Sequence, residues 1–254
     1  MAPLVAGTLS DATPLERALI GLVRRAHEAP AALAPDDLAP LRAVAGDGAL
    51  DYLLVLSAFH FINRIADLLG VPPEALPPTL RRFEPLRRLG VRAASVVLRR
   101  MDLTIRPYST SFADARERLE AAIGRRIGAA VEPLRPRPKL VESIALAVEE
   151  RDRTSSLDRA TLRRVQGVVE RALPHGPGDT TGFHSRPPDP VDAFAFVGTR
   201  YARRTTTDQI EALRRTGLDD LAILDLAIAV ADANQWARMH RLAGLPANLF
   251  SLAT

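Results

Sequence analysis

LDYLLVLSAFHFINRIADLLGVP, residues 50–72, and LDLAIAVADANQWARMHRLAGLP, residues 224–246, read as the two long apolar helices around which the chain folds. Laid together without a gap, they place Leu50 on Leu224, Asp51 on Asp225 and Arg64 on Arg238; Leu68, Gly70 and Pro72 then fall on Leu242, Gly244 and Pro246. Upstream the order also repeats: Asp37, Leu41, Arg42 and Gly46 in one copy, and Asp208, Leu213, Arg214 and Gly217 in the other. An order kept over this length points to an internal duplication.

Outward from these runs the helical period continues, while alternation of β-branched residues is nearly absent, so the fold class is all-α. Helices are predicted from Pro14 to His27, Asp36 to Ala45, Gly48 to Leu69, Pro85 to Met101, Ser111 to Gly128, Lys139 to Arg151 and Ser156 to Leu173. Ser111 and Ser156 are the candidate N-caps. The organisation expected is a first helical unit over 1–73, a central basic helical section over 74–172, a Pro/Gly loop over 173–190 and a second helical unit over 191–254, packed as one body.

The 254 residues are 47% hydrophobic and 25% charged, enough apolar material for a sizeable core and too much for a disordered chain. The absence of cysteine excludes disulfides, thiolate metal sites and a cysteine nucleophile. Aromatics at 5% argue against a stacking platform for single-stranded nucleic acid. Charge is uneven: residues 81–139 hold fifteen Lys and Arg against six Asp and Glu, a local +9 that leaves −5 for the rest. Lys139 is the one lysine, and Arg pairs such as Arg81–Arg82 and Arg99–Arg100 recur as on solvated helix faces, with no groove-reading motif beside them. Nucleic acid is not the expected partner.

The N-terminus lacks a signal-peptide pattern, and the apolar stretch over 50–69 is interrupted by Ser57, His60, Asn63, Arg64 and Asp67; a cytoplasmic protein without a membrane span is the expectation. Those same residues recur at steps of three and four and form one polar stripe, presenting a base, a carboxylate and a cation together. Such a stripe is either a solvated face or a site. In the second copy, Asn234, Arg238 and Arg241 take the equivalent places, and Asp232, Trp236 and His240 form a second stripe with Trp236 suited to a core. Arg64 and Arg238 are alternatively structural, bridging to carboxylates of the Asp51 and Asp225 type. His175 and His184, near Asp179 and Asp189, have no metal-ligand spacing, so no metal or other cofactor is expected.

The run SAFHFINRIADLLGVP after GDGALDYLLVL, and TTTDQIEALRRTGLDDLAILDLAIAVADANQWARMHRLAG after DAFAFVGTRYARR, resemble the alkylhydroperoxidase D-like, or carboxymuconolactone decarboxylase-like, superfamily in its two-unit members. The redox branch carries Cys-x-x-Cys-x-x-x-His on the long helix; here His60 and Asn63 stand at the cysteine positions and Asp67 at the histidine. Dithiol peroxidase chemistry is therefore not expected. The resemblance implies instead a pocket either retired or turned to non-redox acid/base chemistry on a small carboxylated or cyclic substrate, and it fixes no catalytic residue individually; the polar stripe itself supplies the candidates, His60 and Asp67 as catalytic groups and Arg64, Asn63 and Ser57 as substrate-binding ones. The alternative is a non-enzymatic binding or scaffold protein whose Arg-rich centre holds an anionic partner. A homo-oligomer, most simply a dimer, is the expected assembly.

Overall fold

The computed structural model describes residues 12–70, 111–176, 179, 187–247 and 249. They belong to one compact unit, Met1–Gly70 with Thr110–Thr254; Val71–Ser109 form a second unit outside the described residues, and the helix expected from Pro85 to Met101 lies there. All regular structure among the described residues is helical: α1 (Pro14–Glu28), α2 (Ala39–Ala45), α3 (Ala49–Leu68), α4 (Phe112–Ile123), α5 (Pro138–Thr154), α6 (Arg159–Ala172), α7 (Pro190–Arg200), α8 (Thr207–Arg215) and α9 (Asp220–Ala243), with short 3₁₀ turns between them. The protein is all-α.

Local chemistry sets the ends. Thr13 and Glu16 close a reciprocal capping box on α1, and Ser111, Asp158, Asp189 and Asp219 each accept a first-turn N–H. Ser156 is not a cap: its N–H and hydroxyl both donate to Asp225, at 2.6 and 2.7 Å, and α6 starts later on Asp158. α4 stops at Ile123, short of the expected Gly128, because Gly124 turns left-handed at φ +71°.

Two cores form. Leu22, Leu38, Leu41, Leu53, Leu119 and Ile144 build the first from α1 to α5, and the C-terminal half of α9 enters it through Trp236, Met239 and Leu242. The second joins Val165 and Val169 of α6, Phe194 of α7, Leu213 of α8, and Leu226 and Val230 of α9. α9 is thus common to both, and α3 packs along it and sends Leu68 into the second core. The described part of the central section does not stand apart, since α4 and α5 complete one core and α6 the other.

The halves 14–70 and 190–244 share an order of a helix with Pro at its start, a 3₁₀ connection, a short helix, a glycine of positive φ, a long helix and a second such glycine, with three 3₁₀ turns in the first half and one in the second. Ala29 (φ −140°, ψ 55°) and Tyr201 (φ −145°, ψ 48°) end α1 and α7 alike, and 172 residues separate them. At the same spacing the Ala34 and Thr206 N–H groups donate to Asp37 and Gln209, at 2.9 and 2.8 Å, and Leu41 and Leu213 are both fully buried. Burial along the two long helices differs at several register positions: Leu50 is buried where Leu224 is exposed, and Val55, Phe59 and Ile62 are exposed where Ala229, Ala233 and Trp236 are buried.

The halves are crossed at their centre. Arg64 of α3 donates to the carbonyls of Gly198 and Thr199 (2.8 Å to the latter) in the last turn of α7, while Arg238 of α9 donates to Ala26 (3.1 Å) in the last turn of α1. The carboxylate bridges expected for these arginines are replaced by backbone caps, because a buried helix end exposes carbonyls without intrahelical partners. Pro30 makes the need explicit at Ala26, since it has no N–H to offer four residues on. Asp51 instead pairs with Arg137 at 3.0 Å. By length and composition the helical stretch Pro35–Leu68 is apolar enough to cross a membrane, and 22% of its apolar window is buried in this fold.

Candidate functional site

α1 and α3 border a cavity of about 590 Å³. Leu19, Val23, Ala26 and His27 line it from α1, and Tyr52, Val55, Leu56, Phe59, His60 and Asn63 from α3. Steps of three and four put each set on one helix face. The volume lies in the range of small-molecule sites, about 300 to 1,000 Å³, which are characteristically apolar with a few polar groups.

Of the stripe expected from sequence, the cavity gathers His60 and Asn63 alone. Ser57 is buried at 4% exposure, Arg64 caps α7, and the Asp67 carboxylate takes the Arg203 Nε at 3.0 Å. Arg64 Nε is itself buried without a hydrogen-bond partner. His27 and Tyr52, which sequence reasoning did not select, join the site because α1 supplies its second wall; Leu19 and Val23, one turn apart on α1, were the available signal.

Burial, reinforced by the positive charges of Arg238 and Arg64, lowers the His60 pKa to about 2. The imidazole is therefore neutral at ordinary pH, with one ring nitrogen donating and the other accepting. An unfolded His60 takes up a proton below about pH 6.5 and the native one does not, so its contribution to stability is whole above 6.5 and lost as pH falls toward 2. Asp232 acts in the opposite sense: burial raises its carboxyl to about 6 against the pull of Arg151 and Trp236. The difference between wild type and His60→Gln isolates the histidine. Urea unfolding from pH 7 to 5 is expected to show wild type losing stability relative to the variant, by at most about 1.4 kcal/mol per pH unit. A His60 imidazole resonance, assigned by its loss in His60→Gln, that titrates near pH 6.5 would contradict this.

In the second half the polar residues at this register are engaged by the fold. Asn234, at the His60 register, is fully buried and donates to Thr199 Oγ1 (3.1 Å) and the Val230 carbonyl (2.8 Å). His240 and Arg241 close on Glu170 of α6 at 3.3 and 2.7 Å. Burial alone would raise that carboxyl, but the two hydrogen bonds prevail and hold it at about 2. Comparison with known protein families, curated proteins and solved structures gives no match. The chemistry of the site has to carry its interpretation.

Elsewhere, the described arginines of the basic section are largely engaged: Arg118 clamps Glu149, Arg135 pairs with Glu132 above the Phe112 ring, and Arg137 holds Asp51. His175 faces Asp179 at 3.7 Å; His184 lies outside the described residues. No group of three His, Asp or Glu suited to a metal occurs among the described residues.

Proposed function

We propose that the protein consists of two related helical units and that the first binds a small molecule with an apolar body and a carboxylate or similar oxyanion head. The observation that carries this is the cavity between α1 and α3, lined mainly by apolar side chains, with His60, Asn63, His27 and Tyr52 as its polar residues. The charges that act most strongly on His60 are the guanidiniums of Arg238 and Arg64, and the nearest stripe carboxylate, Asp67, is taken by Arg203. That end of the cavity is electropositive in a poorly hydrated setting, where an anion gains most. His60 and Asn63 donate to the head, and the two arginines hold the field from behind.

Two related units are supported by the shared element order and cap geometry and by the reciprocal arginine caps. This is the two-unit organisation of the alkylhydroperoxidase D-like resemblance, with the dithiol positions occupied by His60 and Asn63. A histidine neutral down to about pH 2 is a weak general base, and with Asp67 turned to Arg203 it has no orienting carboxylate in the stripe. We therefore assign His60 to binding rather than to proton transfer.

The test is a thermal-shift panel of octanoate and 2-naphthoate against the matching alcohols and amines. The acids are expected to stabilise most and the amines least, and His60→Ala should cut the acid response at least tenfold in affinity while Asn234→Ala keeps a normal ligand response. Equal responses to acid and amine, or a response that survives His60→Ala, would sink the assignment.

A further inference from the structure

We infer that the acid taken by this cavity is a chain of about ten carbons whose far end carries a neutral hydrogen-bonding group, a hydroxyl or ketone, received by the Tyr52 hydroxyl. This second contact rests on the binding function proposed above, which places the acid head at His60 and Asn63. On the α3 wall polar groups stand at the two ends and nowhere between: His60 and Asn63 at one, Tyr52 at the other, with Val55, Leu56 and Phe59 separating them. The α1 wall has the same polarity, His27 at its last turn and the hydrocarbon of Val23 and Leu19 behind it. Both histidines belong to one end of the cavity, because His27 acts on His60 through its charge, and Arg238, which also acts on His60, bonds the Ala26 carbonyl next to His27.

The span sets the chain length. From Tyr52 to His60, and equally from Leu19 to His27, eight residues of helix rise about 12 Å, which an extended chain of about ten carbons covers. The hydrocarbon between the ends excludes sugars, peptides and nucleotides, whose polar middles would give up water and find no partner on either wall. The far end suits a neutral group. Tyr52 packs partly buried against the first core, and its hydroxyl makes no hydrogen bond among the described residues, so both its donor and its acceptor capacity are left for a ligand. The lining residues at that end carry no charge, and Asp51, the neighbour of Tyr52 in sequence, is held by Arg137 at 3.0 Å. A second carboxylate would be desolvated there without a cation, whereas a hydroxyl or ketone needs only the phenol.

The test compares decanoate with 10-hydroxydecanoate by titration calorimetry. In an apolar cavity with no second polar contact, a terminal hydroxyl lowers affinity, because it loses water and gains nothing. Here 10-hydroxydecanoate is expected to bind at least as tightly as decanoate. Tyr52→Phe should shift the ratio of the two affinities at least fivefold against the hydroxy acid, while Tyr201→Phe, at the end of α7, leaves the ratio at its wild-type value. The ratio is taken within each variant, so a change in stability or in the head contact cancels. The pair hexanoate and 6-hydroxyhexanoate, too short to reach Tyr52 from His60, should show no such shift, and decanedioate should bind more weakly than 10-hydroxydecanoate. A terminal hydroxyl that weakens wild-type binding, a ratio indifferent to Tyr52→Phe, an equal shift with the six-carbon pair, or tighter binding of the dioate would each overturn the second contact and leave the oxyanion site at His60 standing. Failure of every acid to bind would refute the binding function and the second contact with it.

Discussion

Arg238→Ala is expected to lower the unfolding free energy by about 3 kcal/mol, measured as a urea midpoint shift with an unchanged slope. The side chain is 5% exposed, and its Nε bond to the Ala26 carbonyl at 3.1 Å replaces the N–H that Pro30 lacks. Its Nη1 also donates to the Asn234 carbonyl at 2.8 Å; truncation opens a void and strands the Ala26 carbonyl in one step. Burial and the nearby charge of Arg64 depress the Arg238 pKa, and relief of that strain offsets part of the loss. The balance still favours destabilisation, because an unsatisfied buried carbonyl costs about 1 to 3 kcal/mol and the void adds to it. Arg238→Lys should recover less than half, since an ammonium lacks the planar fork that reaches α1 while bonding its own helix. A midpoint within error of wild type would show that the crossed caps do not hold the halves together.

Gly198→Val should cost a similar amount, about 3 kcal/mol, by overpacking. A Cβ at this position lies 2.9 Å from Leu68 Cδ2 and 2.9 Å from Val230 Cγ1. Both neighbours are almost entirely buried, so neither can swing aside. Even Gly198→Ala is expected to destabilise, although alanine in a helix is better than glycine by about 1 kcal/mol. The site matters beyond packing because the Gly198 carbonyl is an acceptor for Arg64. Thermal melts of the two variants, with Gly167→Ala in α6 as a helical control, check the order Val worst, Ala intermediate.

Much of this architecture was legible in the chain. The apolar period of 50–69 and 224–243 gave the two long helices, and Gly46, Gly70, Gly217 and Gly244, all of positive φ, marked their surroundings as turn residues should. Trp236 lies in the core, as its character suggested. The roles of Arg64 and Arg238 were not legible, because a backbone carbonyl leaves no trace in residue type: sequence suggested carboxylate partners, and the fold supplied helix ends. Polar spacing on α3 correctly put Ser57, His60, Arg64 and Asp67 near one another in register, but spacing is blind to which neighbour each meets. The second wall of the cavity comes from α1, and that α6 covers α9 while no described helix covers the same face of α3 is a fact of tertiary packing alone.

The central claim is that the first unit's cavity receives an oxyanion at a neutral His60. Side-chain ¹⁵N resonances of the histidines and amides, followed while octanoate is titrated in at pH 7, test it most directly. The His60 and Asn63 signals are expected to move together and saturate with the ligand. The Asn234 amide, locked to Thr199 and Val230, should stay fixed. An imidazole that is already cationic before addition, or shifts that gather at Asn234 and His240 while His60 is unmoved, would contradict the account.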